Sequence, residues 1–259
     1  MVGTIYLTYH ELQIPGRKLC QEFSGHVPYA VLQCNFRDQL SHLKDHKWRG
    51  VSVSESLSDL NPASPAVAIT FDDGSETDLI GAAPLLTETG FNATFYVIAG
   101  WLGRPGYLSQ GQVRELADLG FEIGCHSMNH RYLTALSDSE LRLEMIEAKS
   151  RLEQILGIRV DHLACPGGFW SRRVARAAKL SGYYSVATSR VGVNTTRTDL
   201  YRLARVSIMR GTALSEFDHM CRGKGLFSKK AKGAILSIPK MLLGADSYVR
   251  VHSVLHRDS

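Results

Sequence analysis

Two adjacent carboxylates, Asp72 and Asp73, lie in the run Thr70-Phe71-Asp72-Asp73-Gly74. Such a pair can divide labour, one side chain binding a metal while its neighbour takes a proton. Asp-Asp-Gly is also ordinary turn chemistry, so the setting matters. The preceding residues, Ala66-Val67-Ala68-Ile69, are apolar and read as a buried strand. Neighbouring side chains on a strand point to opposite faces. The two carboxylates therefore share a site only if the strand ends and turns here, which Gly74 permits.

Two histidines supply the rest of a metal set. His126-Ser127-Met128-Asn129-His130 follows a second strand-like run, Phe121-Glu122-Ile123-Gly124-Cys125. Histidines at i and i+4 share a face if the chain makes one helical turn, a familiar arrangement for a metal. The spacing alone is weak evidence, because His42/His46 and His252/His256 have it too. The first of these pairs falls in an amphipathic helix pattern with Phe36, Leu40 and Leu43. The second falls near a basic C-terminus. Only His126 and His130 emerge from an apolar strand, as the aspartates do. Two histidines and one carboxylate leave open positions for water on zinc or a similar transition metal.

In these two motifs the chain resembles the polysaccharide deacetylases of the NodB-homology fold, carbohydrate esterase family 4. The resemblance covers roughly residues 1–210. It implies a metal-dependent hydrolase that removes acetyl groups from N-acetylated sugars. It also assigns roles: Asp72 is the base, and Asp73, His126 and His130 hold a divalent metal, Zn2+ by the donor set. Spacing does not separate the roles of the two aspartates. The run Ala164-Cys165-Pro166-Gly167-Gly168-Phe169 is similar to the family's third motif. By that likeness, Pro166, Gly167, Gly168 and Phe169 shape the substrate groove. Ala164 stands where the family often has the arginine that orients the base. Arg205, on a later strand-like run, is the candidate replacement. It would keep Asp72 ionised and fix its rotamer.

The acid that protonates the departing amine has two candidates. Val254-Leu255-His256 superficially matches the family's C-terminal Leu-x-His motif. Leu7-Thr8-Tyr9-His10 follows a convincing first strand. Residues 1–60 resemble a circularly permuted branch that includes poly-N-acetylglucosamine deacetylases, in which the Tyr-His strand comes first. That branch favours His10 over His256. Trp170 and Tyr107 could stack on sugar faces, but core packing is the preferred reading for either one alone.

The elements that must position these residues alternate. Strands are expected at Ile5–Tyr9, Val67–Phe71, Ala93–Ala99, Phe121–Cys125, Asp161–Cys165, Tyr184–Thr188 and Arg205–Ile208. Helices are expected from Phe36 to about His46, capped by Asn35, and at Asp78–Glu88, Gly111–Leu119, Ser139–Leu156 and Ser171–Leu180. Residues 51–66 read as a connector, and 221–235 as an irregular basic segment. Repeated β-then-α units give an α/β fold with a mostly parallel sheet. Each motif follows a strand, as in a barrel whose site lies at strand C-terminal ends. An open doubly wound sheet would do the same. The family resemblance favours an irregular (β/α)7-type barrel. No composition break marks a second domain, so 1–259 reads as one domain with a basic, mainly helical extension from about 212.

Composition narrows the function classes. With 259 residues, 44% hydrophobic and 21% charged, the chain can bury one sizeable core. No apolar stretch reaches the roughly 20 residues that span a bilayer. The N-terminus has no secretory-signal pattern, and five scattered cysteines form no Cys-x-x-Cys pair. A cytoplasmic protein with reduced thiols is the expectation. Part of the +5 charge lies beyond residue 220. That region allows peripheral contact with an anionic membrane surface. Zinc fingers and base-stacking motifs are absent, so nucleic acid is not an expected partner. The expected partner is an N-acetylated oligo- or polysaccharide. O-acetyl ester hydrolysis, aminosugar-lipid deformylation, cyclic-imide hydrolysis and an inactive carbohydrate-binding module remain alternatives on the same scaffold.

Overall fold

In the computed structural model, residues 3–22, 24–59 and 64–226 are described. Eight parallel strands form one curled sheet. They are β1 (Ile5–Tyr9), β2 (Arg49–Val51), β3 (Ala66–Phe71), β4 (Thr94–Val97), β5 (Glu122–Cys125), β6 (His162–Ala164), β7 (Ser185–Ala187) and β8 (Val206–Ser207). The spatial order is β8-β1-β3-β4-β5-β6-β7, with β2 beside the first half of β3. The N-terminal strand β1 pairs with β3 along its whole length, from Ile5 opposite Val67 to Tyr9 opposite Phe71. The two ends of the sheet meet at an irregular seam. Ala187 bridges Leu203, and Arg205 N donates to Arg190 O at 2.9 Å, just before β8 begins. The result is the irregular α/β barrel expected from the sequence.

Strands β1 and β3 are buried at every residue. Continuous burial follows from covering both sheet faces, which is why these strands read as apolar runs rather than alternating ones. The period of two divides their side chains between two cores. Leu7, Tyr9, Ile69, Phe71 and Phe95 join the large outer cluster beneath the helices. Tyr6, Ala68, Tyr96, Ala164, Ala187 and Leu203 form a smaller inner cluster.

The helices are α1 (Gln33–Asp45), α2 (Val53–Ser58), α3 (Ala83–Thr89), α4 (Gln110–Asp118), α5 (Asp138–Leu156), α6 (Arg172–Leu180) and α7 (Leu214–Cys221). Reciprocal capping boxes start α2, α4 and α5, and left-handed Gly90 and Gly157 end α3 and α5. The expected helix over Asp78–Glu88 begins as a wide π turn, Asp78–Ala82, before narrowing into α3.

Two expectations fail. Asn35 does not cap α1; the helix begins three residues earlier than expected, after Leu32, and no side chain among the described residues caps it. Residues 51–66 are not merely a connector, since they contain the end of β2 and all of α2. Both elements are too short to show a period, although Ser52 and Glu55 carry a legible capping signature. The basic stretch from residue 227 onward, with Val254, Leu255 and His256, lies outside the described residues. Among those described, no helix is long and apolar enough to cross a membrane.

Candidate active site

Asp72 directly follows β3, and its backbone N donates to Tyr9 O at 2.9 Å. The chain then turns through two left-handed residues, Asp73 at φ +80° and Gly74 at φ +73°. Aspartate tolerates that conformation better than bulkier residues. The turn brings Asp73 round to the histidines, so both aspartates serve one site. Asp73 Oδ1 lies 3.5 Å from His126 Nε2 and 3.3 Å from His130 Nε2.

The histidine loop is built differently from the helical turn expected for i,i+4 spacing. Residues 126–130 are not helical, and Ser127 (φ +66°) and His130 (φ +57°) are left-handed. Glu144 of α5 holds the loop in this shape. Its carboxylate accepts from Met128 N at 3.0 Å, Asn129 N at 2.9 Å and Asn129 Nδ2 at 2.9 Å. The spacing of the pair was informative for the wrong geometric reason.

These residues fit a divalent cation. Ligand atoms of Asp73, His126 and His130 all lie within 4.8 Å of one another. Asp73 Oδ1 is buried without a hydrogen-bond partner among the described residues, a costly condition unless something else satisfies it. His126 Nδ1 is 2.9 Å from Ala164 O. That contact places the ring proton on Nδ1 and leaves the Nε2 lone pair toward Asp73. Burial and neighbouring His130 push His126 down to about 4, against the pull of Asp72. Its neutral, ligating form is thus favoured.

Arg205 reaches Asp72 from across the seam. Its Nη1 and Nη2 donate to the two carboxylate oxygens at 2.6 and 2.8 Å. Nε donates to Thr188 O at 3.2 Å, and Nη1 also reaches Thr70 Oγ1 at 3.3 Å. Burial alone would raise the Asp72 pKa, but Arg205, His126 and His10 hold it well below the ordinary carboxylate range. Asp72 therefore stays ionised although it is buried. Ala164 belongs to the inner cluster with Tyr96, and the Arg205 guanidinium lies 5.4 Å over the Tyr96 ring. The sequence thus places the small residue on β6 and brings the cation from the adjoining seam.

His10 follows β1, directly beside β3 in the sheet. Burial lowers its pKa, while the charges of Asp73 and Asp72 oppose that shift. His10 is therefore within electrostatic reach of both carboxylates. Its ring packs 4.8 Å from Tyr29. His256 lies outside the described residues, as do Val254 and Leu255.

The 166–169 loop leaves β6 beside the site. Pro166 is buried, and Gly167 and Gly168 are left-handed at φ +62° and +71°. A Cβ on Gly167 would come within 2.7 Å of the Tyr132 ring. Close packing inside the protein thus already requires that glycine. Trp170 is less available for stacking on sugar than its sequence position suggests. Its Nε1 donates to Tyr201 O at 2.6 Å, and Arg202 covers one ring face at 4.4 Å. Tyr107 is in edge contact with Trp101 at 5.0 Å. Trp101 in turn lies 5.5 Å from the His130 ring.

Sequence reasoning passed over Glu144, Trp101 and Asp78. Glu144 reads as one more surface acid on a long helix; its burial at 5% exposure reveals its task. Trp101 follows a strand in Ala99-Gly100-Trp101, a position that could have flagged it. Asp78 is fully buried, and neither carboxylate oxygen has a hydrogen-bond partner among the described residues. Burial, reinforced by Asp73, Glu11 and Asp72, raises its pKa well above the ordinary range. Asp78 is accordingly held as the neutral acid.

The same arrangement has known relatives. The sequence profile described as polysaccharide deacetylase matches residues 59–186, the span that holds the Asp72-Asp73 turn, the histidine loop and the 166–169 loop. Over that span, just under half of the chain, the protein is similar to the polysaccharide deacetylase family. It is 26% identical over 186 residues to YxkH of Bacillus subtilis, a candidate polysaccharide deacetylase, covering 70% of this chain and 67% of that one. It is 34% identical over 124 residues to a peptidoglycan-N-acetylglucosamine deacetylase of Bacillus cereus, covering 48% of this chain and 56% of that one. The chain thus spans between half and two thirds of these deacetylases' lengths. A crystal structure of a polysaccharide deacetylase from Bacillus cereus superposes with a TM-score of 0.74 at 25% identity, covering 85% of this chain and 69% of that one. Similarity to deacetylases thus extends beyond the motifs to the barrel that carries them.

Proposed function

We propose that the protein is a metal-dependent hydrolase that removes N-acetyl groups from an N-acetylated saccharide or saccharide precursor. One observation carries this reading: an ionised carboxylate clamped by arginine stands beside a buried, unpartnered carboxylate oxygen faced by two histidine Nε2 atoms. Asp73, His126 and His130 would hold the ion, zinc by their donor types. The chemistry such an ion supplies when bound is polarisation of the acetyl carbonyl and a lower pKa for water.

The remaining work falls to the chain. Asp72 accepts the proton of the attacking water. Arg205 keeps that carboxylate ionised and presents it in one rotamer. A strongly held carboxylate is a weak base, so the transfer requires water whose own pKa has been lowered. His10 delivers a proton to the departing amine, which leaves poorly as an anion. Burial of the His10 ring favours release of that proton. Pro166, Gly167, Gly168 and Phe169 form the groove wall beside the scissile bond. The N-terminal position of the His10 strand supports kinship with the permuted branch.

Incubation with N-acetylated chitooligosaccharides tests the reading. Mass spectrometry should show loss of one acetyl group, with acetate and a free amine appearing in equal amount. Acetate released only from an O-acetylated saccharide, with no new amine from the chitooligosaccharide, would indicate an esterase instead. Loss of neither would remove the proposal for this substrate class.

A further inference from the structure

Beside the 166–169 loop, proposed above as the groove wall, stand two arginines that the hydrolytic reaction does not use. Three loops build this wall: residues 166–170, 188–191 and 199–205. Ser189 N donates to Gly168 O at 3.3 Å, and Trp170 Nε1 donates to Tyr201 O at 2.6 Å. The wall is tied to the base through Arg205, whose backbone N donates to Arg190 O and whose guanidinium clamps Asp72. Arg190 and Arg202 are both exposed on this wall. Arg190 Nη2 contacts Arg202 O at 3.5 Å. The Arg202 guanidinium is stacked 4.4 Å over Trp170.

Among the described residues neither guanidinium forms an ion pair. Burial and the charge of Arg202 lower the Arg190 pKa, with only Asp199 opposing them. The Asp199 carboxylate accepts from Tyr201 N at 2.9 Å. Nearby α6 adds to the positive field, because it contains Arg172, Arg173, Arg176 and Lys179 and no acid. Arg173 is paired with Asp138 at 2.8 Å, and Lys179 lies 6.0 Å over the Tyr201 ring. With Arg190 Nη2 on the backbone oxygen of Arg202 and the Arg202 side chain on Trp170, the two like charges share one surface, and an anion there would relieve their repulsion. Guanidinium groups offer forked donors matched to carboxylate or phosphate oxygens.

We infer that Arg190 and Arg202 form a subsite for an anionic group, a phosphate or carboxylate, carried by the N-acetylated saccharide. The inference rests on the saccharide reading above and narrows its substrate class. The neutral acetamide would sit at Asp72 and Asp73, while the anion engages the wall beside Trp170.

Calorimetry on the metal-free protein tests this without turnover, using matched pairs of ligands. One pair is N-acetylglucosamine and N-acetylglucosamine 1-phosphate. The other is N-acetylated chitotetraose and a tetrasaccharide alternating N-acetylglucosamine with glucuronic acid. At least one anionic member should bind more tightly than its neutral partner, by about tenfold for each charge-assisted contact. The pair that shows the preference tells phosphate from carboxylate. Double substitution Arg190→Gln/Arg202→Gln should abolish the preference, and Arg190→Lys/Arg202→Lys should keep part of it. Neutral ligands should bind the parent and both variants alike. The inference is overturned if neither pair shows a preference, or if the preference survives the glutamine substitutions. Acetate release from the same ligands on the metal-loaded protein separates the two claims. An anion preference without acetate contradicts the deacetylase reading alone, and acetate without the preference contradicts this subsite alone.

Discussion

Replacing Arg205 with methionine should convert Asp72 from a stabilised ion into a buried liability. Both side chains are 4% exposed, and two hydrogen bonds of 2.6 and 2.8 Å join them. Removing one partner of a buried pair costs about 3–5 kcal/mol. Domains have only about 5–15 kcal/mol of stability in total, so the loss is large. The pH dependence follows from the carboxylate. In the parent, folding lowers the Asp72 pKa. Its contribution is therefore complete above the unfolded value and is lost as pH falls through the folded one. In the variant, burial acts without the guanidinium and raises the pKa. The folded state then prefers the protonated acid, and stability falls as pH rises through the unfolded value. Parent and variant should differ most near pH 7 and least below about pH 3. Urea unfolding at both pH values measures this. The acid limb of the deacetylation profile should move upward as well. Combining Arg205→Met with Asp72→Asn should cost less than the sum of the single changes. A loss under about 1 kcal/mol at neutral pH, or an equal loss at both pH values, refutes the reasoning.

Other outcomes follow from the same geometry. Metal content should fall sharply in His126→Ala and His130→Ala, and elemental analysis that still finds one metal per chain in both would show the ligands to be wrong. Asp72→Asn should abolish most turnover while keeping metal, whereas Asp73→Asn should lose metal first; equal losses would erase the division between them. His10→Ala should slow hydrolysis of an N-acetyl sugar by about 10²–10⁴-fold with metal unchanged, and should affect an activated aryl acetate much less. His256→Ala should be nearly silent in that assay, and the reverse pattern would place the acid at His256. Because folding lowers His126 to about 4, the metal-free protein should lose stability as pH falls from about 6.5 toward that value; a flat stability profile for the parent, with no difference in His126→Ala, would contradict it.

Much of the site was legible because its residue types are scarce and each follows an apolar strand. Asp72, Asp73, His126 and His130 could be named before any coordinates. Arg205 was reached from the vacancy that Ala164 creates. What sequence could not supply was backbone geometry. The left-handed residues Asp73, Ser127 and His130 carry no distinctive local signal, so the histidine pair looked like a helical turn. Glu144 was hidden because the acidic face of a long helix normally meets water, whereas here it meets three donors of the 128–129 segment. Core packing was the preferred reading for Trp170, but sequence does not show that Arg202 covers its ring. The barrel itself was readable from alternating strand and helix signals. Its short pieces, β2 and α2, were not, since three and six residues are too few to establish a period.

The most direct test of the central claim is a zinc titration of metal-free protein with acetate release followed on an N-acetylated chitooligosaccharide. Activity should rise linearly and level off at one zinc per chain, with Asp72→Asn inactive throughout. Acetate release that is independent of added metal, or absent at every ratio, would contradict a metal-dependent deacetylase built on Asp73, His126 and His130.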